Sequence, residues 1–152
     1  MEDKPQEHRR QPRIFIDKEG NWFQEDIPIS HRRTYLYNNS LLAKDEEDRY
    51  YIDEGRGRIY IEVEDAPFVV RTVEEKEDGL YIILNDETSE RLDFERLWIG
   101  DENVPYCKVK GGLFHARFLR PAYYELMKYL EYDEEKGEYF IETEKGKHQI
   151  KK

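Results

Sequence analysis

Between residues 104 and 124 the chain carries no aspartate or glutamate, although it has 35 acids in 152 residues. Lys108, Lys110, His115, Arg117 and Arg120 fall inside that stretch, with Tyr106 beside them. Several cations next to an aromatic ring suit a phosphate or a nucleotide-like anion. Charge-assisted bonds take the oxygens, and the ring takes the base. Gly111-Gly112 reads as a two-residue hairpin turn, which sets a register. Lys110 then pairs with Leu113, Val109 with Phe114, Lys108 with His115, Cys107 with Ala116, and Tyr106 with Arg117. Alternation puts Cys107, Val109, Phe114, Ala116 and Phe118 on the core face. Tyr106, Lys108, Lys110, His115 and Arg117 share the other face. The competing reading is a solvated face whose cations pair with acidic loops of the same chain.

Glu64 and Asp65 form a second candidate. Adjacent carboxylates before Pro67 can take Mg²⁺ or a ribose hydroxyl, or Asp65 can close a strand by bonding its own backbone. Phe68 and Trp22 complete the candidate ligand-binding set as ring walls. Trp22 and Trp98 each read as core or as pocket wall, and Trp98 is expected to cover the core. Other motifs fall short of chemistry. Gly55-Arg56-Gly57-Arg58 has the residue types of a phosphate loop, but no helix follows and no Lys-Ser/Thr closes it, so a hairpin turn is expected. His8, His31, His115 and His148 lack metal-ligand spacing. No metal and no cofactor is expected. Cys107 is the sole cysteine, so there is no internal disulfide, and a core-facing thiol is a poor nucleophile. Ser30, Ser40 and Ser89 stand in no G-x-S-x-G context. No catalytic residues are assigned.

The elements that position these residues read as follows. Residues 13–17 alternate, with Ile14 and Ile16 inward and Phe15 outward, and Lys18-Glu19-Gly20 returns the chain to Trp22 and Phe23 as a first hairpin. Ser30 reads as the N-cap of a helix over 31–43, with Tyr35 and Leu42 on its apolar stripe. Residues 45–48 form a solvated acidic loop, and 49–53 and 58–64 a hairpin. Asp65-Ala66-Pro67 breaks that ladder, since Pro donates no N–H. Phe68, Val69 and Val70 begin the next strand, ended by an acidic turn over 74–79. Strands follow at 80–84 and 90–94, and 97–104 is read as irregular. Pro121 opens a helix whose stripe is Tyr123, Leu126, Met127 and Leu130. A last hairpin spans 138–142 and 148–151.

Composition bounds the rest. The net charge of −10 opposes general nucleic-acid binding. Twelve Tyr and seven Phe argue for a packed core despite 39% charged residues. No apolar run reaches the ~20 residues of a membrane span, and cytoplasm is the default compartment. A monomer or small oligomer is expected. Residues 1–12 read as a disordered tail, 13–75 as one α+β half and 76–152 as another. The halves look duplicated. Residues 45–61 (DEEDRYYIDEGRGRIYI) and 133–150 (DEEKGEYFIETEKGKHQI) align with one extra residue in the second. Tyr50 matches Tyr139, Ile52 matches Ile141, Gly57 matches Gly146 and Ile61 matches Ile150. Each segment follows a helix, so the fold class is α+β, with two similar halves of mostly antiparallel sheet and one main helix each.

Val63-Glu64-Asp65-Ala66-Pro67-Phe68 resembles a block of the bacterial family DUF1285. Gly20-Asn21-Trp22-Phe23 with Pro28-Ile29 resembles its N-terminal segment, and Asn85-Asp86-Glu87 one of its turns. Residues 105–126, PYCKVKGGLFHARFLRPAYYEL, resemble its P-Y…G-G-L…R-A-x-Y-Y-x-L stretch. Gln24 and Asp26 depart from the His and Gly common there. The resemblance implies two repeated halves, the C-terminal one loosely pleckstrin-homology-like. It also implies a nucleotide-like ligand between the halves, a part in signalling and no established activity. Three functional readings stand at this point. The first is a non-catalytic protein binding an anionic ligand. The second is a protein-interaction module using exposed sheet edges. The third is an enzyme whose catalytic residues are not legible.

Overall fold

The computed structural model describes residues 11–152. The tail read as disordered lies, through residue 10, outside them. The chain forms two compact units. The first holds residues 11–17 and Asn21–Glu64, the second Lys18–Gly20 and Asp65–Lys152. Residue 75, where the sequence reading divides the two halves, lies within a strand of the second unit.

The first unit runs β1 (Ile14–Ile16), β2 (Trp22–Gln24), β3 (Ile27–Pro28), α1 (Arg32–Leu41), β4 (Ala43–Lys44), β5 (Tyr50–Asp53) and β6 (Arg58–Val63). Its six strands form one sheet in the order β3-β2-β1-β6-β5-β4. The central pair, β1 with β6, is parallel, and the flanking pairs are antiparallel. Alternation puts Ile14, Ile16, Trp22, Ile52 and Ile61 on one buried face. Ser30 does not cap α1. His31 precedes the first helical residue without a side-chain cap, and its carbonyl accepts from the N–H groups of Thr34 and Tyr35, so the helix starts one residue later. The buried residues of α1 are Asn38 and Asn39 rather than an apolar stripe.

The acidic loop after α1 is more ordered than its composition suggests. The Asp45 side chain is only 5% exposed. Its carboxylate accepts from the Glu47 and Arg49 N–H groups at 2.8 and 2.9 Å, from the Arg49 guanidinium at 2.9 Å and from the Tyr60 hydroxyl at 2.9 Å. Burial acts to raise the Asp45 pKa. The two N–H groups, the Tyr60 hydroxyl and the Arg49 charge outweigh it and hold the carboxyl at about 2, against 3.8 when free. A depressed carboxyl stabilises the fold above its unfolded pKa, and that contribution disappears as pH falls through the folded value. Urea midpoints measured between pH 4 and pH 2 are expected to fall for the wild type, and to fall less for Asp45→Asn. Parallel curves would show that this carboxylate does not govern the acid limb.

The second unit runs β7 (Phe68–Lys76), β8 (Gly79–Leu84), β9 (Ser89–Arg91), a 3₁₀ turn (Phe94–Arg96), β10 (Leu97–Ile99) and a second 3₁₀ turn (Asp101–Asn103). It continues with β11 (Pro105–Val109), β12 (Phe114–Phe118), α2 (Arg120–Met127), β13 (Leu130–Asp133), β14 (Glu138–Thr143) and β15 (Gly146–Ile150). Three expectations are corrected. The segment read as irregular contains β10, with Leu97 and Ile99 buried. β7 continues through the expected acidic turn as far as Lys76, because Glu74, Glu75 and Lys76 pair with Tyr81, Leu80 and Gly79. Leu130 leaves the helical stripe and starts β13, pairing with Ile141.

Six of these strands form a sheet in the order β9-β8-β7-β12-β11-β10, with β7 and β12 as a parallel central pair. This is the first unit's topology strand for strand, so the α+β fold has two similar halves. The sequence repeat is a second and different likeness, since it matches β4-β5-β6 not to their topological equivalents β10-β11-β12 but to β13-β14-β15, which form a separate sheet. α1-β4-β5-β6 and α2-β13-β14-β15 are each a helix followed by an antiparallel three-stranded meander. Ile52 pairs with Ile59 as Ile141 pairs with His148, and Asp53 with Arg58 as Glu142 with Lys147. Arg58 lies 4.4 Å from the centre of the Tyr51 ring, and Lys147 lies 3.9 Å from that of Phe140. Asp133 accepts from the Glu135 N–H as Asp45 does from Glu47.

Candidate functional site

β11 and β12 pair in the register read from the sequence, Tyr106 with Arg117, Cys107 with Ala116, Lys108 with His115 and Val109 with Phe114. The link is wider than a two-residue turn. Pairing stops at Val109 and Phe114, and Lys110, Gly111 and Gly112 all have positive φ. An even number of linking residues leaves the facing unchanged. Lys110 therefore sits in the turn, and its ammonium goes elsewhere. It meets Asp86 Oδ2 at 2.6 Å and Thr88 Oγ1 at 2.9 Å, 5.2 Å from the centre of the Phe68 ring. Burial acts to raise the Asp86 pKa, but the bonds from Lys110 and Thr88 outweigh it and lower it.

On the face opposite the core, three rings gather. Trp98 of β10 pairs with Tyr106 across the strands, and the two rings stack at 5.6 Å with 12° between their planes. His115 lies 6.3 Å from each. The Tyr106 ring leans over Gly100, where a Cβ would come within 2.7 Å of it, so the glycine makes room for the ring. Lys108 is exposed beside His115.

Asp65 joins this group. Its Oδ2 accepts from the Tyr106 hydroxyl at 2.8 Å and from Arg117 Nη1 at 2.9 Å, and those two donors lie 3.4 Å apart. The Arg117 and Asp65 side chains are 24% and 28% exposed. Burial and the neighbouring Asp65 carboxylate push the Tyr106 phenol up to about 12. Burial alone would lower the Arg117 pKa, but Asp65 and Tyr106 outweigh it and raise it.

The structure thus unites parts of two candidate groups and separates others. Tyr106, His115, Arg117 and Asp65 come together, with Lys108 at the rim. Lys110 is held by Asp86. The carboxylate pair is divided. Glu64 closes the first unit, its N–H bonded to the Ile16 carbonyl, and the Asp65 carboxylate takes Arg117 rather than its own backbone. Phe68 is 2% exposed and meets Phe114 edge-on at 5.4 Å. Trp22 is 2% exposed and donates its indole N–H to Asn39 Oδ1 at 3.1 Å. Both are core residues of their units. Trp98, read as covering the core, instead lies on the opposite face, because in β10 it alternates with the buried Leu97 and Ile99, a strand too short to read from the sequence. Cys107 is fully buried as expected, and burial pushes its thiol pKa up, disfavouring the thiolate.

A cleft of about 830 Å³ lies elsewhere in the second unit, and none of the candidate residues lines it. Seven carboxylates line it, Glu75, Glu77 and Asp78 among them, against Lys76, Arg91 and Lys145. Such a lining repels an anion. No described helix is long and apolar enough to cross a membrane.

Two solved structures are similar to this chain. One is a DUF1285 family protein from Silicibacter pomeroyi DSS-3, at 26% identity and a TM-score of 0.72, the match covering 91% of this chain and 79% of that one. The other is a DUF1285 family protein from Shewanella baltica OS155, at 20% identity and a TM-score of 0.65, covering 77% and 91% respectively. No family model and no curated protein matches the sequence.

Proposed function

Starting from the DUF1285 family, to which this chain belongs, we propose that the protein binds a planar, anionic, nucleotide-like ligand on the outer face of β10, β11 and β12. The observation that carries this reading is the stacked Trp98–Tyr106 pair, with His115 beside it and the Arg117 guanidinium at the phenol end. Stacking a base on an aromatic side chain contributes about 1–3 kcal/mol and tolerates any base. A phosphate then takes Arg117, with exposed Lys108 as a second cation. The face is suited to holding rather than transforming. Its phenol keeps its proton up to about 12, and the neighbouring thiol points into the core. Binding without turnover suits a signalling role.

The test is a titration panel of nucleotides and inorganic phosphate, read by calorimetry and by quenching of Trp98 fluorescence. One or more nucleotides are expected to bind. Trp98→Ala should abolish the quenching, and Arg117→Ala should weaken binding by about 1.5–3 kcal/mol, the usual worth of a hydrogen bond to a charged group. The rival reading, a protein-interaction module built on sheet edges, expects no small-molecule binding. A panel without a hit, or a hit that Arg117→Ala binds as well as the wild type, would overturn the proposal.

A further inference from the structure

We infer that Asp65 is a resident stand-in for the ligand's anion, occupying Arg117 until a ligand oxygen displaces it. The inference rests on the ligand reading above and adds how that site is regulated. Its first support is geometric. The Tyr106 hydroxyl and Arg117 Nη1 converge on a single oxygen, Asp65 Oδ2, at 2.8 and 2.9 Å. Two fixed donors 3.4 Å apart define a position for one acceptor oxygen. A phosphate oxygen placed there would accept the same two bonds.

The second support is the form of the ion pair. Arginine and a carboxylate at their strongest share two parallel bonds across the guanidinium fork. Here one nitrogen meets one oxygen. A phosphate presents more oxygens than this contact uses, so exchange can leave Arg117 better satisfied than before. The third support is burial. Removing one partner of a fully buried pair strands a charge at high cost. Asp65 is 28% exposed, so water can take over the displaced carboxylate.

The fourth support is the local backbone. Residues 65–67 lie between β6 and β7, outside the strand pairing. Ala66 and Pro67 are buried and anchor that link. Displacement therefore needs only a side-chain rotation at Asp65, with no movement of the strands. The same carboxylate sets a threshold for binding. A weak anion does not displace it, whereas a ligand that also stacks on Trp98 and Tyr106 brings additional binding energy. The site would thus discriminate between inorganic phosphate and a nucleotide without a pocket that excludes either by size.

Asp65→Asn keeps the size of the side chain and removes its charge, and Asp65→Ala removes both. Each is titrated calorimetrically with a nucleoside monophosphate and with inorganic phosphate, beside the wild type and Asp65→Asn/Arg117→Ala. Thermal melts confirm that each variant is folded. Both single variants are expected to bind about tenfold more tightly than the wild type, with the larger gain for inorganic phosphate, and the double variant to lose that gain. In the wild type, the carbon-13 resonance of the Asp65 carboxyl should move as ligand is added. If the wild type binds and the Asp65 variants bind equally or more weakly, Asp65 is a ligand contact or a purely structural partner and the inference is wrong. If no variant binds either probe, the ligand reading fails and takes the inference with it.

Discussion

Phe68→Ala is expected to destabilise the second unit by about 3–5 kcal/mol, the usual cost of emptying a buried phenylalanine site. The ring is 2% exposed, packs edge-on against Phe114 and lies beneath the Lys110 ammonium. Three contributions are lost together: the buried area, the ring pair and the cation–ring contact. The neighbours Val69 and Val70 are fully buried strand residues and have little freedom to collapse into the space. Phe68→Leu keeps most of the volume and should cost less than half as much. Urea denaturation separates the two. A ligand-wall role would give the opposite pattern, with stability retained and nucleotide affinity lost.

The second large effect concerns Trp22 in the first unit. Trp22→Ala should cost about 3–5 kcal/mol for the same reason. Trp22→Phe is more informative. It preserves the aromatic packing but removes the indole N–H that Asn39 Oδ1 accepts. Asn39 is 4% exposed, and its Nδ2 has no hydrogen-bond partner among the described residues. An amide with neither end satisfied should cost about 1–3 kcal/mol. Replacing both partners by apolar groups removes the penalty at its source, so Trp22→Phe/Asn39→Leu should recover much of that loss. If Trp22→Phe is as stable as the wild type, the Trp22–Asn39 bond does not matter to the fold.

The strands were legible wherever alternation had room to run. Ile14-Phe15-Ile16 and residues 58–63 declare their faces directly, and the Gly111-Gly112 signal gave the correct register for β11 and β12 even though the turn is wider. The failures have physical causes. β10 is three residues long between two 3₁₀ turns, which is too short for a period to show. α1 buries asparagines, so its inward face lacks a hydrophobic stripe. Half of the candidate site was visible, because Tyr106, His115 and Arg117 share a face by parity alone. Its charge balance was visible only in outline. The acid-free stretch left open a ligand site or cations paired with acids of the same chain, and Asp65 and Asp86 do pair with Arg117 and Lys110, but the sequence did not name those partners. Such a partnership leaves no local pattern, since it exists only once the sheet has formed.

The parallel seam at the middle of each six-stranded sheet orders the folding of the chain. Meanders such as β4-β5-β6 and β7-β8-β9 close over short turns and lose little chain entropy. Ile14 meets Ile61, and Phe68 meets Ala116, only after roughly 50 intervening residues are brought round, and closure cost rises with the logarithm of that spacing. Contacts of long sequence separation slow folding more than local ones do. Each sheet is therefore expected to assemble from its edges inward, with the central strands, which carry Ile16, Val69 and Val70 at full burial, joined last. Until that late step the strands that carry Ile16, Val69 and Val70 have unpaired edges, so crowding during synthesis threatens the middle of each sheet.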